Sequence, residues 1–227
     1  PYVNRPAKDD AACKLTATLT YGGATATKVF PIVIKAEGVN DKKESVVNYG
    51  DLMSGIAAGY STSTDPWVIL EKKAYDNSAF SGTMSGSPLA NALASSAIGK
   101  TPDLDSIKSY DYIGKPESWN IPYALLAYDT AGVDTASGYT NTREQLKDFC
   151  VNILNTIGEY TDAETVAPCI AALANYYHKN DSVVDAAVDK GIAWLAQQQH
   201  NDGTFSTYGT SNSNTTAMVI VALASVG

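Results

Sequence analysis

The residues able to ligate a transition metal are few and scattered. The chain has three cysteines (Cys13, Cys150 and Cys169) and two histidines (His178 and His200), none at the short spacing that a zinc site requires. Neither a metal nor another cofactor is therefore expected. Three cysteines are also too few for a disulfide framework. Asn201-Asp202-Gly203 offers one carboxylate without the alternating acids of a calcium loop, and reads as a plain turn. Glycoside chemistry would need two carboxylates at a set separation. Asp65 and Glu164 both begin apolar helical segments, where capping is the expected role. The remaining candidates are aromatic. Trp67, Trp119, Tyr123, Phe205 and Tyr208 fall near the starts of such segments, with Asn120, Glu164 and Asn214 as polar companions. Rings with a few polar groups can make a platform for a glycan or another flat ligand; the competing reading is that they pack helix ends together.

Those residues must be positioned by two kinds of element. Over residues 13–36, Leu15, Ala17, Leu19 and Tyr21 alternate with polar residues, and Gly22-Gly23 marks a hairpin turn before a return run carrying Phe30, Ile32 and Ile34. Pro31 cannot donate to a ladder, so an edge or a bulge is expected there. Residues 37–43 form a polar linker. After them the period becomes helical.

Four segments align without gaps: PWVILEKKAYD from Pro66, PYALLAYDTAG from Pro122, APCIAALANYY from Ala167 and AMVIVALASVG from Ala217, their starts 56, 45 and 50 residues apart. Each is apolar nearly all round and should be buried on most sides. Amphipathic helices are expected between them, over 44–60, over 142–157 with Leu146, Phe149, Cys150, Ile153, Leu154 and Ile157 on one face, and over 182–199. A further one over 89–113 is broken by Gly99 and Pro102. Thr64 or Asp65, Ser118, Thr161-Asp162 and Ser213 are the expected N-caps, and Pro122 and Pro168 should shorten or kink their helices. Two layers result, with apolar helices inside and amphipathic helices outside. A helical hairpin turning near Tyr160 would bring Cys150 and Cys169 to the same height. Two buried thiols are the preferred reading, and a disulfide is the alternative.

The last third of the chain carries a signature. Trp194–Gly209 reads WLAQQQHNDGTFSTYG, and Gln197, Asp202, Gly203 and Phe205 match the loop of the prenyltransferase and squalene-cyclase type repeat, which the segment resembles. Thr204 stands where the repeat usually has a second Gly, and Phe205 where it usually has Trp. The resemblance is strong over about 142–227 and only patterned over 44–141. Residues 3–36 resemble the C-terminal part of a bacterial immunoglobulin-like domain. Together these imply a multidomain surface protein of Gram-positive bacteria, with an α/α toroid and an extracellular setting. They do not imply one chemistry. The cyclase reaction needs an Asp-x-Asp-Asp cluster in which one carboxyl stays protonated; Asp103-Leu104-Asp105-Ser106 lacks the last acid and reads as a helix start. The Asp/Cys/His zinc set of the protein prenyltransferases is not matched.

The expected fold is mainly α: a partial α/α toroid of about four helix hairpins over 44–227, preceded by the β-hairpin of 1–36. A net charge of −8 argues against nucleic acid, and no apolar stretch is long enough to insert into a membrane. Without a Met start, and stopping in mid-pattern at Val226-Gly227, the sequence reads as a piece of a longer protein. The expected function is a non-catalytic extracellular module, cell-surface attached or secreted, presenting a concave surface to a small ligand, a glycan or a neighbouring domain. The alternatives are an α/α-toroid enzyme acting on polysaccharide or a prenyl-type substrate, and a structural spacer.

Overall fold

The computed structural model describes residues 11–21, 24–34, 49–114, 119–135, 138–158, 161–207 and 209–227. The chain is mainly helical and divides into two compact units, Pro1–Gly59 and Tyr60–Gly227. In the first, strands β1 (Ala11–Tyr21) and β2 (Ala24–Ile34) pair antiparallel in unbroken register from Ala11↔Ile34 to Tyr21↔Ala24. The closing pair leaves two positions for the connection; Gly22 and Gly23, which fill them, lie outside the described residues, as does the linker over 37–43. Pro31 stands opposite Lys14 with no bulge, and its missing N–H is tolerated because each strand of a two-stranded sheet is an edge. Helix α1 (Tyr49–Gly59) falls in this first unit.

The second unit is built from α2 (Pro66–Asp76), α3 (Pro88–Ala97), α4 (Asp105–Lys108), α5 (Asn120–Ala131), α6 (Arg143–Asn155), α7 (Ala163–Leu173), α8 (Ser182–Gln198) and α9 (Ser213–Val226). A small ladder of β3 (Ser206–Thr207) and β4 (Thr210–Ser211) precedes α9. Helices α5, α7 and α9 follow one another side by side, α6 packs on both α5 and α7, and α8 packs on α6 and α7. Helix α3 lies against α5, and α2 against α3. The expected break between α3 and α4 is present, with Gly99 in the left-handed region at φ 76°.

Local chemistry sets the helix ends. The Asp65 carboxylate accepts from the backbone N–H of Trp67 at 2.8 Å and of Val68 at 3.3 Å, and Pro66 takes the first helical position, where no N–H is needed. Thr142 and Gln145 form a reciprocal capping box on α6. Asp162 caps α7 through the N–H of Thr165 at 2.9 Å. Three sequence expectations are corrected. Helix α5 begins at Asn120, which puts Pro122 in its first turn, where its missing N–H costs nothing. Helix α7 runs through Pro168 without a break. The cap of α9 is Asn212 rather than Ser213, which is already helical. Ser118 lies outside the described residues.

The core runs through α3, α5, α6, α7 and α8, with Leu125, Tyr128, Leu146, Leu154, Val166, Ile170, Leu173, Val188 and Leu195 fully enclosed. Helices α5 and α7 are buried on most sides, as their composition suggests. Helices α2 and α9 are not: α2 buries only Pro66 and Ile69, and α9 only Thr215, Val219 and Ala222. The reason is neighbours. Helix α7 has α5, α6, α8 and α9 around it, whereas α9 packs on α7 and β3, and α2 on α3.

Gly191 lies where α8 closely approaches α6 and α7. A Cβ there would lie 3.0 Å from Ile170 Cδ1 on α7 and 3.1 Å from Leu154 Cδ2 on α6. Gly191→Val is expected to destabilise the second unit by about 1–3 kcal/mol, since extra carbons in a filled core force its neighbours off their rotamers. Urea unfolding followed by circular dichroism measures this, and an unchanged midpoint would show that the helices separate there at no cost.

Candidate site at the helix starts

Two of the aromatic candidates meet, and a third stands one helical turn from one of them. Trp67 follows Pro66 in the first turn of α2, and Tyr123 lies in the first turn of α5. Their rings meet edge to face, with centroids 5.5 Å apart and planes at 67°. That geometry sets the positive edge of one ring against the negative face of the other. Trp67 nevertheless keeps 44% of its surface exposed. Trp119 is the residue before α5, already has helical dihedrals and is 65% exposed. It precedes Tyr123 by one helical turn and so falls on the same helix face.

A carboxylate stands near this group. Glu164 lies in the first turn of α7, yet it does not cap that helix, since Asp162 does. Its Oε1 accepts a hydrogen bond of 2.7 Å from the Thr215 hydroxyl at the start of α9. Thr215 is fully buried and is joined in turn to the Thr207 hydroxyl at 2.6 Å. Tyr123 senses the same carboxylate: burial pushes its phenol above the ordinary value of 10.0, and the negative charge of Glu164 adds to the shift. The starts of α7 and α9 are thereby joined by a hydrogen bond, and the Tyr123 phenol of α5 feels the charge of the same carboxylate.

The other expected site residues lie elsewhere. Phe205 is 4% exposed and belongs to the core, so its role is corrected from ligand platform to packing. Its backbone N–H donates to Thr216 Oγ1 at 3.0 Å and its carbonyl accepts from Asn212 at 3.0 Å, which folds the loop back onto α9. Tyr208 lies outside the described residues. Asn120 opens α5 half-buried, and the Asn214 amide lies 3.8 Å from the Met218 sulfur.

Asp103, Asp105 and Asp202 are engaged in helix and turn geometry. Asp103 accepts from the Ser106 hydroxyl and from the N–H groups of Ser106 and Asp105. Those bonds, the Ser106 hydroxyl foremost, hold its carboxyl below the ordinary 3.8, the opposite of what a proton donor to an alkene requires. Asp105 is paired with Lys108. Asp202 accepts from the N–H and hydroxyl of Thr204, with Gly203 at φ 88°, which is a turn. Among the described residues, no three His, Cys, Asp or Glu side chains gather as a metal site would need. Among them, too, no helix is long and apolar enough to cross a membrane.

A second polar cluster, with no signal in the sequence pattern, lies at the opposite ends of the same helices. Arg143, the first residue of α6, pairs with Asp129 near the end of α5 at 2.9 Å. Its Nη2 donates to the carbonyls of Val133 at 2.7 Å and Tyr128 at 3.1 Å, closing the C-terminus of α5. The Tyr176 hydroxyl donates to Asp129 at 2.7 Å from just beyond α7. Burial, followed by the bond to Asp129, pushes the Tyr176 phenol well above its ordinary range. Lys147 lies over the Tyr176 ring at 5.6 Å and pairs with Asp181, the cap of α8, at 3.3 Å. This cluster fastens helices together and leaves the aromatic group as the candidate binding site.

No protein-family model matches the chain, and no curated protein or solved structure matches it either.

Proposed function

We propose that the chain is a non-catalytic binding module of an extracellular bacterial protein, cell-surface attached or secreted, in which the helical unit is an arc of an α/α toroid. Its ligand is a glycan, held across Trp67, Tyr123 and Trp119, and its other partners are neighbouring domains of the same polypeptide. The observation that carries this reading is the edge-to-face pair of Trp67 and Tyr123, with Trp67 and Trp119 both open to solvent at the helix starts. Helices α5, α7 and α9 in succession, with α6 packed on α5 and α7 and α8 on α7, support the toroid. So does the resemblance of Trp194–Gly209 to the prenyltransferase and squalene-cyclase repeat. The setting rests on that resemblance and on that of residues 3–36 to an immunoglobulin-like domain.

Exposed rings suit a sugar because the C–H face of a pyranose is apolar while its hydroxyls stay polar. A tryptophan face covers the first and a nearby carboxylate such as Glu164 accepts from the second. The enzymatic alternative has less in its favour, because the nearest acid motif holds Asp103 ionised and committed to a helix start.

Calorimetric titration with a panel of cello-, chito-, malto- and mannohexaose provides the test. At least one saccharide is expected to bind, and Trp67→Ala to weaken it by tenfold or more, about 1.4 kcal/mol. Absence of binding across the panel, or equal affinity in the variant, would contradict the reading.

A further inference from the structure

Cys150 and Cys169 are brought together by the hairpin of α6 and α7. The two helices are consecutive and packed on each other. Cys150 lies five residues before the end of α6 at Asn155, and Cys169 six residues after the start of α7 at Ala163. At about 1.5 Å of rise per residue, the two sit at nearly the same level of an antiparallel pair. Both are buried in one apolar cluster, and both thiols are free. The neighbouring Cys169 thiol, followed by burial, pushes the Cys150 thiol well above its ordinary 9.0. Two free thiols at one level of a packed helical hairpin, each shielded from solvent, are the reduced form of a cross-link.

We infer that Cys150 and Cys169 are a disulfide-forming pair that staples the α6–α7 hairpin when the chain folds in the presence of a disulfide oxidant. The oxidant class is a small-molecule disulfide such as oxidised glutathione. One protein thiolate attacks it, expelling a glutathione thiolate and forming a mixed disulfide. The second protein thiolate attacks the mixed disulfide at the protein sulfur, forming the S–S bond and expelling the second glutathione. Two electrons pass from the protein sulfurs to glutathione, and the two thiol protons are taken up by the glutathione thiolates. Burial dictates when this happens. The exchange needs both sulfurs accessible to an attacking group, so the bond forms while the hairpin is still open and persists once the core closes. The inference does not depend on glycan binding.

The full chain is refolded from denaturant with a mixture of reduced and oxidised glutathione, then unfolded and alkylated without reductant. Cys13 is the internal reference, so one thiol in three is expected to label, against three after reduction. The tryptic peptide spanning 148–179, which holds both cysteines, is expected to be lighter by two hydrogens than after reduction and to carry no alkyl label, with the melting midpoint higher by about 5–10 °C than in the reduced chain. In Cys150→Ser, two thiols are expected to label and no internal link to form. Labelling of all three thiols after oxidative refolding would overturn the inference. A link through Cys13 in place of Cys169 would also overturn it. Because the wild-type chain carries the decisive readout, a variant that folds poorly does not obscure the result.

Discussion

Ile170→Ala is expected to destabilise the helical unit by about 2–5 kcal/mol, while Ile220→Ala leaves stability within about 0.5 kcal/mol of the wild type. The two residues are equivalent in the repeat: Ile170 is the fourth residue of APCIAALANYY and Ile220 the fourth of AMVIVALASVG. Their surroundings differ. Ile170 is 0% exposed and presses toward Gly191 of α8, so truncation leaves a cavity that α6, α7 and α8 cannot close without moving. Ile220 is 61% exposed, and most of the surface it would lose is already wet. Alanine is also the better helix former, which offsets what little contact is lost. Urea unfolding of both variants decides the matter. Equal losses at the two positions would mean that α9 is covered as fully as α7.

Asp129→Ala is expected to destabilise by about 2–4 kcal/mol, towards the lower end of the usual range for a broken buried pair because Arg143 keeps about a third of its side chain in water. The carboxylate serves two partners that approach from different helices, Arg143 of α6 and Tyr176 beyond α7. Its removal strands the Tyr176 hydroxyl, and leaves Arg143 held only by the carbonyls of Tyr128 and Val133. A double-mutant cycle separates these effects. Tyr176→Phe combined with Asp129→Ala is expected to cost less than the sum of the two single changes, because both delete the same hydrogen bond. Strict additivity, or a loss below about 0.5 kcal/mol for Asp129→Ala, would show that the ends of α5 and α7 are held by apolar packing alone.

The contrast between Ile170 and Ile220 also shows how much of the fold is legible in the sequence. Of the expected face of α6, Leu146, Cys150 and Leu154 are buried and Phe149, Ile153 and Ile157 half-buried, with Val151 buried beside them, and α8 buries Val184, Ala187, Val188, Gly191 and Leu195, because a helix with one polar face has only one way to turn. The alternation that predicts the hairpin is likewise realised as an unbroken antiparallel ladder. A helix that is apolar all round carries no such instruction. Its burial is set by how many neighbours reach it, and for α2 and α9 composition alone could not supply that number.

The candidate site is legible in the same uneven way. Trp67 and Tyr123 occupy equivalent positions in the repeat, and equivalent helix starts on neighbouring elements meet, as their ring contact records. Phe205 carries the aromatic of the repeat loop, but its loop folds back through Asn212 and Thr216 and draws the ring into the core. The bond from Thr215 to Glu164 spans 51 positions, and that from Tyr176 to Asp129 spans 47. Contacts so distant leave no periodic trace in a single sequence. They follow only once the helices have packed.

Glycan binding at the helix starts is tested most directly by fluorine NMR of the chain labelled with 5-fluorotryptophan. The three tryptophans, Trp67, Trp119 and Trp194, give three resonances assignable by single substitution. On titration with the hexasaccharide panel, the Trp67 and Trp119 signals are expected to shift together and saturably. Trp194, within α8 and partly packed on the core, should stay in place. If all three signals stay fixed with every saccharide, or if only Trp194 moves, the aromatic group is not the binding face.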